Sequence, residues 1–221
     1  MLFVGVFSIF LLTASAEYCY SDVEDVCSIN PKNGGLTSNC NAQYGAIGTL
    51  LTDLQSFVNA NIETSFELLL MSAHFDNYEA NRSGFKNLYR KLSDQSWKDA
   101  IDLIKYITRR GGRMNFNQLP HFKKPVKDSK ILQLTEMYSL AKALDSEKQL
   151  AKEALRIHNQ AQHHTSQDAD VAHYIEEHFS ESLSERVRDL AGYSNDFKNL
   201  LSDRDPSVSV FLFDEYLKKT V

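Results

Sequence analysis

SDQSWKDAIDLIKYITRRGGR, Ser93 to Arg113, is the stretch on which the fold turns. It reads as the second half of a long amphipathic helix that stops at Gly111-Gly112, because glycine takes the left-handed conformation at a helix C-terminus without steric cost. Ahead of it Phe85, Leu88 and Leu92 recur at three- and four-residue spacing, and Leu103 and Tyr106 resume the same stripe. Between them the stripe passes through Ser96 and Asp99, one turn apart, which puts a hydroxyl and a carboxylate on a face that should be apolar. Such a break is either a hydrogen-bonded polar network or what remains of a metal site.

Helical periodicity continues on both sides. Ile47, Leu51, Leu54 and Phe57 open a stripe that passes through Asn61 and Ser65 to Leu68 and predicts a first helix ending near His74; the second runs from about Ala80 to Arg110. The connection NFNQLPHFKKPVK carries two prolines and no strand alternation, and it is long enough to run the length of a bundle. A third helix is predicted from near Asp128, with Leu134, Met137, Ala141, Leu144, Glu147, Ala151, Ala154 and His158 on one face. A fourth, from about Gln167 to Asp196, buries Val171, Ile175, Phe179, Leu183, Val187 and Leu190, and Pro206 opens a short apolar tail helix. Two helices, a long crossover, two more helices and a tail predict an all-α four-helix bundle with one long crossover and a short fifth C-terminal helix.

A chain of 221 residues with 43% hydrophobic residues holds enough apolar material for one substantial core. Residues 1–16, MLFVGVFSIFLLTASA, have the apolar run and the small-residue close of a signal peptide, so the expected organisation is signal peptide 1–16, cysteine-bearing extension 17–43 and helical bundle 44–221. The expected location is the secretory pathway and outside the cell. Cys19, Cys27 and Cys40 all fall in that extension, as in a disulfide-stapled segment of an oxidising compartment. Cys27 and Cys40 bracket the turn-forming Asn-Pro-Lys-Asn-Gly-Gly run and are expected to pair within the chain, leaving Cys19 on a flexible arm to bond another chain. A Cys19–Cys27 bridge, with Cys40 free or linking subunits, is the alternative. Asn81-Arg82-Ser83 is an N-glycosylation acceptor in a polar break between helices. A net charge of −5 with no basic cluster excludes a nucleic-acid partner, and no segment after the leader is apolar enough to cross a bilayer.

Aligned at mid-length, the four stripes bring Asn61, Ser96 with Asp99, and Glu147 to one level of the interior, with Leu183 opposite. A buried polar group without a partner costs about 1–3 kcal/mol, so the cluster must be hydrogen-bonded, wet or functional. The structural reading has Asp99 and Glu147 accepting hydrogen bonds from Asn61, Ser96 or trapped water. The alternative is a carboxylate-bridged di-iron centre, which takes several Glu and His ligands from facing helices. Two acids, an amide and a hydroxyl are too few and too weak for two irons.

Several phrases add a resemblance. The run Thr64-Ser65-Phe66-Glu67-Leu68-Leu69-Leu70-Met71-Ser72, then Phe85-Lys86-Asn87, Arg110-Gly111-Gly112-Arg113, Lys123-Lys124-Pro125, Glu147-Lys148 and Leu212-Phe213-Asp214 resemble the ferritin family in order and spacing, from about Gln55 to the chain end. The leader, cysteines and glycosylation triplet look like the secreted ferritins of insects, in which two subunit types assemble together. The resemblance implies a light-type subunit of a hollow cage of about two dozen chains, with iron as stored mineral and a heavy-type catalytic subunit as partner.

In the family's catalytic subunits a Glu ligand stands where this chain has Asn61, and Glu-x-x-His where it has Ser96 and Asp99. Glu147 matches a retained Glu ligand, and Leu183 replaces a Gln that orients the site. The resemblance therefore implies a relic ferroxidase centre and no enzyme activity. It further implies a three-fold channel lined at His158, His173 and Glu176, where histidine makes the charge depend on pH near neutrality. At the family's inward-facing acidic row this chain has Lys91, Asp94, Gln95 and Lys98, a poor set for nucleating mineral. Two rival readings stand beside this one: a weakly active ferroxidase that uses Asp99 and Glu147, and a secreted, metal-free helical bundle acting by protein interaction.

Overall fold

The computed structural model describes residues 18–30, 35, 37–121, 135–163, 167–202 and 205–221. The leader expected at 1–16, the start of the third helix near Asp128 and the Lys123-Lys124-Pro125 phrase lie outside them. The chain divides into two compact units, Met1–Ala42 and Gln43–Val221.

In the first unit, α1 spans Cys19–Val26 and a disulfide joins Cys19 to Cys40, with Cα atoms 4.4 Å apart. One turn along α1 from Cys19, the buried carboxylate of Asp22 accepts hydrogen bonds from the Asn39 backbone N–H (2.6 Å) and from Asn39 Nδ2 (3.0 Å). These contacts seat Cys40 beside the first turn of α1. The pairing expected between Cys27 and Cys40 is therefore wrong, and so is the assignment of Cys19 to another chain; Cys27 is the exposed free thiol. The physical reason is the helix itself. At 1.5 Å per residue, α1 carries Cys27 about 12 Å from Cys19, beyond the reach of a chain that returns to the helix's N-terminal end.

The second unit is all-helical in its described residues: α2 Ile47–Phe75, α3 Ser83–Arg109, α4 Glu136–His163, α5 Ala169–Ile175, one π-helical turn Glu176–Ser180, α6 Glu181–Leu201 and α7 Pro206–Thr220. Local chemistry sets several boundaries. Gly111, at φ 75°, closes α3 in the left-handed conformation. Asp168 caps α5 by accepting from Val171 N–H at 3.1 Å, and Asp205 caps α7 by accepting from Ser207 N–H at 3.0 Å, with Pro206 at the first helical position.

Two apolar clusters fill the bundle. One contains Leu50, Leu54 and Phe57 of α2, Leu103 and Ile107 of α3, Leu150 and Ile157 of α4, and Leu183 of α6. The other contains Leu68, Phe75, Phe85, Leu92, Leu140, Leu190, Phe197 and Phe213. Their memberships fix the helix directions: α2 and α6 run one way, α3 and α4 the other. Because α3 and the next helix in sequence, α4, run parallel, a long crossover must join them, and α2 holds its described part. Gln55 Nε2 donates to the Arg113 carbonyl, Asn59 Nδ2 to the Gln118 carbonyl (2.6 Å) and Ser56 Oγ to the Leu119 carbonyl (2.9 Å). Between the clusters lies a polar belt of Asn61, Ser65, Ser93, Ser96, Asp99, Glu147 and Arg186, all buried.

Two helix faces differ from the expected ones. On α4 the buried stripe is Leu140, Ala143, Glu147, Leu150, Ala154, Ile157 and Ala161, one position round from the expected stripe, whose Met137, Ala141, Leu144 and Ala151 sit half-buried on its flank. Both stripes are apolar, so periodicity alone could not choose. On α6 the side chain that turns inward between Leu183 and Leu190 is Arg186, not Val187. The helix also continues past Asp196 to Leu201, because Phe197 packs on Phe213 with ring centroids 4.8 Å apart.

Candidate functional site

The polar belt is where the sequence-predicted residues meet. Asn61 on α2, Ser96 on α3, Glu147 on α4 and Leu183 on α6 have no exposed surface, and Asp99 is 7% exposed. The expected hydrogen bonds among them do not form. Asn61 Nδ2 instead donates to the carbonyl of Phe57 in its own helix at 2.8 Å. Ser65 and Ser93 satisfy one another across α2 and α3: each hydroxyl donates to the other residue's carbonyl, at 3.0 and 2.8 Å.

Arg186 organises the acids. Its Nη2 donates to Asp99 Oδ2 at 2.8 Å, and its Nε lies 3.4 Å from Glu147 Oε2, an ion pair whose geometry falls short of a hydrogen bond. Gln95 Nε2 donates to the other Asp99 oxygen at 3.0 Å. The guanidinium thus stands between carboxylates from two other helices. Burial raises the pKa of Asp99, against the pull of Arg186. Burial also pushes the Glu147 carboxyl up to about 7, again opposed by Arg186 and reinforced by the nearby Asp99 charge. Among the described residues no group of three or more His, Cys, Asp or Glu side chains is arranged to hold a metal ion.

A second cluster sits at the corner between α4 and α5. His158 Nε2 is 3.7 Å from Glu176 Oε2, so those two residues are brought together, whereas His173 pairs one turn along with Glu177 at 3.3 Å. His173 and Glu176 also line a depression of about 460 Å3 with Ala161, Gln162 and Ala172. The corner is fixed from beneath by Arg110, whose Nη2 reaches Asp168 Oδ2 at 2.9 Å while the same oxygen accepts from Ala46 N–H at 3.0 Å. Asn81 lies in the exposed turn between α2 and α3 at φ 45°, a left-handed conformation that asparagine tolerates better than most residues.

This arrangement has known relatives. A family model described as a ferritin-like domain matches residues 51–200. The chain belongs to the ferritin family. It is 44% identical over 211 residues to a ferritin light chain of Drosophila melanogaster, covering 94% of this chain and 92% of that one. It is 39% identical over 231 residues to a ferritin light chain of Trichoplusia ni, covering 100% and 99%. Among solved structures, Trichoplusia ni secreted ferritin superposes with a TM-score of 0.85 at 39% identity, over 93% of this chain and 100% of that one. Within this ferritin fold the residue that sequence reasoning missed is Arg186. A signal was present: Arg186 is one turn beyond Leu183 on the inward face, and two carboxylates across a seam call for a cation.

Proposed function

We propose that this chain is a structural, light-type subunit of a secreted ferritin cage that stores and transports iron, with oxidation left to a heavy-type partner subunit. One observation carries the reading: the Arg186 guanidinium sits between Asp99 and Glu147. A di-iron centre needs its carboxylates free to bridge metal ions. Here both acids face a fixed cation, and the other positions offer an amide, a hydroxyl and a leucine. The donor set does not fit two irons, which also weighs against a weak ferroxidase built on Asp99 and Glu147. The light-chain names of the similar proteins from Drosophila melanogaster and Trichoplusia ni agree with this reading.

Iron in this proposal is cargo. Its route follows the α4–α5 corner, with His158, His173 and Glu176 lining a channel where copies of the chain meet. Secretion brings the Asn81 acceptor into the compartment where glycans are added, so glycosidase treatment lowers the mass of the native chain but leaves an Asn81→Gln variant unchanged. The deciding experiment follows oxygen consumption by cages of this chain alone after ferrous iron is added. Oxidation close to the uncatalysed rate is expected, with full activity only when heavy-type subunits are co-assembled; rapid, saturable oxygen consumption by the single-chain cage overturns the proposal.

A further inference from the structure

The polar belt has a property that a purely structural role leaves unexplained. Asn61 Oδ1, Ser96 Oγ and both carboxylate oxygens of Glu147 are buried with no hydrogen-bond partner among the described residues. Asp99, also buried, adds a second carboxylate to the same level of the seam. Amide carbonyl, hydroxyl and carboxylate oxygens are the donors that hard cations take. They come from α2, α3 and α4, whereas α6 contributes a cation where a ligand would complete the set.

A guanidinium carries its charge at every accessible pH and has no lone pair to offer a metal. With Nη2 at 2.8 Å from Asp99 and Nε at 3.4 Å from Glu147, Arg186 occupies the space and supplies the charge that a bound ion would. We propose that Arg186 is a tethered cation plugging an oxygen-lined cation site, and that it is the residue that makes this seam refuse a hard divalent or trivalent metal ion. The inference deepens the reading of a silent seam. Its test reads metal occupancy, whereas the test of that reading measures oxygen consumption, so either can fail alone.

Two variants of the full chain unplug the site: Arg186→Gln keeps a hydrogen-bonding side chain without the charge, and Arg186→Leu removes charge and donors together with a side chain too short to reach the place of the guanidinium. Both should melt below the parent without metal, because two buried carboxylates lose their counter-charge. Mn2+ should then raise the melting temperature of Arg186→Gln by about 5 °C or more beyond its effect on the parent; subtracting the parent's response removes binding elsewhere on the protein. The triple variant Asp99→Asn, Glu147→Gln, Arg186→Gln should respond no more than the parent. In crystals soaked with Tb3+, anomalous density should stand between Asp99 and Glu147 in the variants and be missing there in the parent. If one variant assembles only when Mn2+ is present, that rescue supports the proposal. It is overturned if both variants fold without any metal response beyond the parent's, if neither folds even with Mn2+, or if the parent holds an ion between the two acids with Arg186 in place.

Discussion

Glu147 has no exposed surface and, among the described residues, gains no hydrogen bond for either carboxylate oxygen, so its charged form is costly despite Arg186. In the folded chain its proton is held up to about 7, against 4.5 for an unperturbed glutamate. Between those values the folded state binds more protons than the unfolded one, so the contribution of Glu147 to stability falls as pH rises through the window and reaches its least favourable level above about 7. Glu147→Gln removes that titration. Relative to the parent, the variant should gain stability as pH rises across the window, by roughly 3 kcal/mol at most. Melting curves at a series of pH values measure this directly. A difference that does not change with pH means that Glu147 remains ionised beside Arg186 throughout. Arg186 itself was hidden in the sequence by Val187: both lie on the face between Leu183 and Leu190, and hydrophobicity selects the valine. The choice is reversed by electrostatics across the seam, which no single helix reveals.

At the scale of elements, α3 and α7 are locked by a contact that tolerates no side chain. Asp214 Oδ1 accepts from the backbone N–H groups of Gly84 (2.8 Å) and Phe85 (3.1 Å), which caps the free N-terminus of α3 from a helix far along the chain. A Cβ on Gly84 would lie 2.0 Å from the Asp214 carbonyl oxygen, so backbone rather than a flexible side chain would have to move. Gly84→Ala should therefore push α7 off α3 and destabilise the chain by about 1–3 kcal/mol or more, seen as a lower melting temperature together with faster amide exchange in α7. Unchanged exchange in α7 with a lowered melting temperature would show the strain absorbed elsewhere. Helix positions were legible because long runs of helical periodicity, broken by Gly111-Gly112 and by a proline-bearing connection, identify the elements even where they leave the choice of buried face open. The π-helical turn at Glu176–Ser180, the phase of α4 and the Gly84–Asp214 lock were not, since each depends on a partner that packing alone supplies. Asp168 was equally silent: its two oxygens serve Arg110, Ala46 and Val171, three segments distant from one another in sequence.

For the whole molecule the cysteines carry the remaining test, because they decide how the extension could join one subunit to another. The sequence offered a turn between Cys27 and Cys40, but the return of the chain to the start of α1, held by Asp22 and Asn39, brings Cys40 to Cys19 instead. With its ends 21 positions apart in sequence, that bridge should stabilise the extension by roughly 3 kcal/mol through the loop it closes. The exposed Cys27 is then the described cysteine available to a thiol on another chain in an oxidising compartment. Peptide mapping of the unreduced protein should recover Cys19 linked to Cys40, and any covalent dimer seen on non-reducing electrophoresis should vanish in Cys27→Ser. Cys19→Ser makes the opposite case: it should leave such a dimer in place, lower the melting temperature of the extension and expose Cys40 to alkylation. Recovery of a Cys27–Cys40 peptide, or a dimer that survives Cys27→Ser, refutes the assignment.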